Sequence, residues 1–115
     1  MVPNVDPKVV LARALFNAAD HLGLKHAQIA SVIGLHQSSI NRLKSKLILD
    51  PATKQGELAL LLIRVYSRVY TLSGGDSEWI FYFMNSYNEV TKGIPIQQIQ
   101  SITGLFTVLN FVDAI

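Results

Sequence analysis

The chain has 115 residues, enough for one compact domain or two small helical subdomains sharing a core. Half of the residues are hydrophobic, which excludes a disordered chain, and the absence of cysteine excludes disulfides and thiolate metal sites. The formal net charge of +2 is mild, so any polyanion-binding function must come from a local concentration of charge.

The N-terminus, "MVPNVDPK", lacks a basic stretch followed by an apolar one, so no signal peptide is expected. Asp6 and Pro7 supply an N-cap and a first-turn proline. Val9, Ala12, Leu15, Phe16, Ala19 and Leu22 then step by three and four, which predicts one helix ending at Gly23. Short helices are expected over about 26–33, stopped by Gly34, and about 37–45.

Asp50-Pro51 repeats the start signal of Asp6-Pro7 and is expected to open the longest helix, to about Leu72. Its longest apolar run, "LALLLI", is too short to cross a bilayer, so no membrane partner is expected. This helix carries two apolar stripes, Leu58-Leu62-Val65-Val69-Leu72 and Ala59-Ile63-Tyr66-Tyr70. It is either a central core helix, or one stripe faces a second copy or another protein. "SGG" at 73–75 ends it and marks a subdomain boundary.

A further helix is predicted over Ser77–Asn88, with Trp79, Ile80, Phe83, Met84 and Tyr87 as its apolar set. Pro95 opens the first of two short helices, about 95–102 and 104–114. Nothing reads as a strand, and no repeat is visible. The fold class is therefore all-α, divided as 1–50, 51–73 and 74–115.

The segment "IASVIGLHQSSINRLKSK" has helix-turn-helix spacing. Ala30 is small where the second helix crosses the first, and Gly34 tolerates the turn. Ile40 and Leu43 face inward, with Ile29, Ile33 and Leu35 closing a small core. Gln37, Ser38, Asn41 and Arg42 then face outward, with Ser39 and Lys44 at the flanks. Arginine suits guanine, and asparagine or glutamine suits adenine. Lys25, Lys44 and Lys46 can meet phosphates.

Charge distribution agrees. Residues 21–55 hold Lys25, Arg42, Lys44, Lys46 and Lys54 against Asp50, whereas residues 69–115 hold Asp76, Glu78, Glu89 and Asp113 against Lys92. The basic part suits DNA and the acidic part a different partner. One helix-turn-helix covers one half-site, so a homodimer is expected. If it neutralises about six to eight phosphates, the log–log salt slope is about −5 to −7.

No enzyme is expected. His21, His26 and His36 lack a matching nucleophile or second metal ligand, and Asp20 and His21 point to different helix faces. His26 and His36 read as surface or phosphate-proximal residues. Ser73-Gly74-Gly75 lacks the lysine and preceding strand of a phosphate-binding loop. No metal, cofactor or small-molecule substrate is expected.

The chain as a whole resembles the Xre-type antitoxins of the Xre/MbcA/ParS group, partners of RES-domain toxins. "LARALFNAADHLGLKHAQIASVIGLHQSSINRLKSK" looks like their helix-turn-helix, of the Cro/C1 kind, and "LDPATKQGELALLLIRVYSRVYTLSGGD" like their connecting helix. "FMNSYNEVTKGIPIQQIQSITGLFTVLNFVDAI" looks like their toxin-binding domain, matching at Asn88, Gly93, Pro95, Gly104-Leu105 and the closing "VLNFVDAI". The family's tryptophan-leucine pair before the asparagine is Phe83-Met84 here, and relatives often continue beyond Ile115 with Arg-Gly.

The absence of cysteine agrees with a cytoplasmic location, and the resemblance implies an antitoxin that obstructs an NAD+-degrading toxin with its C-terminal domain and represses the shared operon. Candidate toxin contacts are Asn88, Lys92, Phe106, Leu109, Asn110, Phe111 and Asp113. Two alternatives remain at this point. One is a stand-alone regulator whose second half dimerises or binds a ligand. The other is an interaction protein that has lost DNA binding.

Overall fold

The computed structural model describes residues 5–115. Residues 1–4, where the signal-peptide reading begins, lie outside the described residues. Seven helices follow in order: α1 (Pro7–Leu22), α2 (His26–Ile33), α3 (Gln37–Lys46), α4 (Lys54–Ser73), α5 (Ser77–Asn85), α6 (Pro95–Gln98) and α7 (Ile102–Ala114). Among the described residues there is no strand, only an isolated bridge between Asn88 and Gly93. The fold is all-α.

Local chemistry sets most boundaries. The Asp6 carboxylate accepts from the Lys8 N–H at 2.9 Å, capping α1 as expected, a contact that contributes about 1 kcal/mol. Gly34 ends α2 at φ 73°, a left-handed conformation that a side chain would strain.

The start of α4 differs from expectation. Asp50-Pro51 forms a preceding turn, with the Asp50 carboxylate accepting from the Ala52 N–H at 2.9 Å. Thr53 is the true cap, its hydroxyl accepting from the Gly56 N–H at 3.0 Å. The turn fits because Gly56 lies against the Asp50 carbonyl, where no Cβ has room.

Two later boundaries also move. Helix α5 ends at Asn85, and Asn88 organises the following loop, accepting from the N–H groups of Val90 and Thr91 at 2.9 and 3.0 Å. A side chain that bonds local backbone competes with the helix ladder. Ser101 caps α7 by accepting from the Gly104 N–H at 3.1 Å, so that helix starts at Ile102.

Helix α4 is the axis of the core. Its inward residues Ala59, Leu62, Val65 and Val69 are fully buried. Leu11, Leu15, Ala19 and Leu22 of α1 cover one side, and Leu105, Val108, Leu109 and Val112 of α7 belong to the same core. The core is one cluster running from α1 to α7. The second stripe is incompletely covered: Ile63 and Tyr66 are half-buried and Tyr70 is 50% exposed.

Candidate nucleic-acid interface and partner surface

Helices α2 and α3 pack across the turn at Leu35 and His36. Ile29, Ala30, Ile33, Ile40 and Leu43 are all buried, as their spacing required. The outer side of α3 then follows by geometry: Gln37, Ser38, Asn41, Arg42, Lys44 and Lys46 are exposed, Ser39 is half-buried, and Lys25 is exposed before α2.

Several of these side chains are held in place. The His26 ring nitrogen Nδ1 lies 3.0 Å from Asn41 Oδ1, and the amide oxygen can only accept, so Nδ1–H donates. The Asn41 amide nitrogen is thereby left to donate outward. The Arg42 guanidinium donates to the Ser39 hydroxyl at 3.2 Å. The Lys44 ammonium sits over the Phe16 ring at 5.3 Å from its centre, and Phe16 meets His26 edge-on at 6.3 Å. His36 occupies the N-cap of α3 but its side chain bonds no helix amide. The first amides of α3 therefore have no side-chain cap and can meet an anion.

The chain matches the family model described as "Antitoxin Xre-like helix-turn-helix domain" over residues 5–64, slightly more than half its length. The chain belongs to the Xre-like antitoxin family. An antitoxin of this kind is a DNA-binding, non-catalytic protein with a toxin as its partner. No curated protein matched the sequence. Among the described residues, no helix is long and apolar enough to cross a membrane.

The family match ends within α4, and α5 to α7 of the antitoxin lie beyond it. There the sequence-derived partner residues separate into distinct environments. Phe106 is 44% exposed and Asn110 is exposed one turn further along α7. Leu109 is only 3% exposed within the core. It is corrected from contact residue to core residue, because its side chain offers almost no surface to a partner. Phe111 is half-buried and stacks on Phe83, rings 6.2 Å apart and 8° from parallel.

Asp113 is engaged within the antitoxin. Arg64 donates to its carboxylate at 2.6 Å, and the Arg68 Nε lies 3.6 Å away. Arg68 also reaches the Ile115 carbonyl at 3.2 Å. The pair of arginines ties the end of α7 to α4. Both lie on the polar strip of α4, and sequence spacing gave no sign of this long-range pairing.

Asn88 is half-buried and shapes the loop, while Lys92 stands exposed at φ 60° with its ammonium 3.9 Å from Glu89. Gly93 and Gly104 have steric reasons. A Cβ on Gly93 would lie 2.7 Å from the Gln98 side chain, and one on Gly104 would strike the Gln98 carbonyl.

The expected apolar set of α5 is the main departure. Ile80 and Met84 are buried, but Trp79 is 41% and Tyr87 58% exposed. Sequence periodicity missed this because Phe81 and Tyr82 look apolar all round, and only packing shows which rings stay outside.

Proposed function

We propose that the antitoxin binds operator DNA as a homodimer and inhibits a RES-domain toxin that degrades NAD+. Residues 1–50 serve as the DNA-binding domain, 51–73 as the connecting helix and 74–115 as the toxin-binding domain. The protein acts in the cytoplasm, where both DNA and NAD+ are present.

The observation that carries the DNA half is the exposed set Gln37, Ser38, Asn41 and Arg42 on α3, inside a segment matched as a helix-turn-helix. Arg42 and Asn41 are the base-reading pair. Lys25, Lys44 and Lys46 meet phosphates and set the register.

Support for the RES partner comes from the likeness of residues 83–115 to the family's toxin-binding domain. The exposed Phe106 and Asn110 on α7 supply one contact face, with Phe111 and Lys92 at its margin. Support for the homodimer comes from a side of α1 and α4 that no other described residue covers. Val5, Pro7, Val10, Leu60 and Ile63 line an apolar groove of about 370 Å³ there.

The test is co-expression with a RES-domain toxin while cellular NAD+ is followed. Wild-type antitoxin preserves NAD+, and Phe106→Glu with Asn110→Arg lets it fall. Deleting 104–115 is a poor probe, because Leu105, Val108, Leu109 and Val112 belong to the core. NAD+ loss despite wild-type antitoxin, with operator repression intact, would instead identify a stand-alone regulator.

A further inference from the structure

Helix α5 has its rings on the wrong side for a solvated helix. Ile80 and Met84 point inward at 2% and 0% exposure. The opposite side carries Glu78, Phe81, Tyr82 and Asn85, spaced by three and four and all exposed. Phe81 is 68% exposed and Tyr82 is 74% exposed.

Trp79 flanks them and is fixed before any partner arrives. It stacks on Phe83 at 5.5 Å and 9°, and Phe83 stacks in turn on Phe111. Trp79, Tyr82 and Tyr87 border a cleft of about 210 Å³. Trp79 and Phe83 also border a second cleft of about 330 Å³, together with Phe111 and Ile115. Large exposed rings beside clefts mark association surfaces, and rings already ordered lose little entropy on binding.

Charge selects the occupant. Asp76 and Glu78 lie at the start of α5, and Glu89 follows in the loop, where Lys92 is its partner at 3.9 Å. An acidic rim repels a phosphate backbone. A second copy docking through a two-fold axis would use the same patch twice, so that its net acidic rim faces itself. A different protein with basic residues around apolar pockets meets neither obstacle.

We infer that Trp79, Phe81, Tyr82 and Tyr87 form the main docking surface for the partner toxin, against apolar pockets rimmed by arginine or lysine. This assignment rests on the antitoxin reading and moves the principal anchor from α7 to α5. Phe111 joins the two surfaces through the stacked row.

The experiment measures affinity of the full-length protein for a RES-domain toxin and for operator DNA by calorimetry. Phe81→Ser and Tyr82→Ser each weaken toxin binding at least about 30-fold. Glu78→Lys weakens it too and reduces its sensitivity to salt. Operator affinity stays unchanged; melting stays close to wild type in Phe81→Ser and Tyr82→Ser, whose side chains are exposed, and falls slightly in Glu78→Lys, which puts a cation in the first turn of α5. Wild-type toxin affinity in all three variants, with loss in Phe106→Glu, overturns the α5 assignment and leaves the toxin-blocking reading standing. No binding by the wild-type protein overturns both. Loss of self-association in the α5 variants, with toxin binding kept, makes the occupant a second copy and also overturns the assignment.

Discussion

His26 at the start of α2 and Asn41 in the middle of α3 are joined across the turn by a 3.0 Å hydrogen bond. The bond fixes one rotamer of a side chain proposed to read bases, so part of its ordering entropy is lost before DNA arrives. His26→Ala therefore weakens operator binding about threefold to tenfold, consistent with one hydrogen bond and one freed side chain. In an Asn41→Ala background the same substitution has almost no effect. A double-mutant cycle by fluorescence anisotropy measures this, and purely additive losses would show that His26 acts elsewhere.

Phosphate and base contacts separate by their salt behaviour. Replacing Lys46 by alanine lowers affinity for every sequence alike and makes the log–log salt slope shallower by about 1. Replacing Arg42 costs about 1–3 kcal/mol and relaxes the preference at one base position. Titrations on operator and scrambled DNA at several salt concentrations distinguish the two. Equal loss on both DNAs in Arg42→Ala would assign that residue to the backbone.

The α1–α4 groove offers a direct test of self-association. Leu60 is 48% exposed and Val10 is 47% exposed, so Leu60→Glu leaves the fold intact while placing charge in the groove. The variant is expected to sediment as a monomer and to bind a full operator with affinity close to that of a half-site. A wild-type monomer at micromolar concentration, with and without DNA, would exclude this surface.

The joint between α4 and α7 should respond unequally to two substitutions. Asp113→Ala breaks contacts to Arg64 and Arg68, but the arginines are 61% and 37% exposed, so the cost is about 1 kcal/mol or less. Gly104→Ala has no such relief, since its Cβ would meet the Gln98 backbone carbonyl. Backbone overlap in a packed joint costs about 2–4 kcal/mol. Urea unfolding of both variants checks the order, and a Gly104→Ala protein as stable as wild type would refute the close packing of α6 on α7.

The sequence by itself determined the elements that depend on neighbours a few residues away. Asp6-Pro7, Gly23 and Gly34 fixed the ends of α1 and α2, because capping is local. The inward set Ile29, Ala30, Ile33, Ile40 and Leu43 was legible for the same reason: helical period assigns a face. Asp50 can serve either a helix start or a turn, and Thr53 decides for the turn; Asn88 bonds its local backbone as its type suggests, but from the 88–93 loop, three residues beyond the end of α5.

Only the tertiary structure decided what each exposed or buried ring is for. Leu109 and Phe106 lie three residues apart on α7, yet one is in the core and the other half outside. Trp79 and Tyr87 look like core by type, but α5 has room inward only for Ile80, Met84 and part of Phe83. The bonds from His26 to Asn41 and from Arg64 to Asp113 join residues 15 and 49 positions apart. Periodicity describes one helix at a time, and such contacts exist only once several helices have packed.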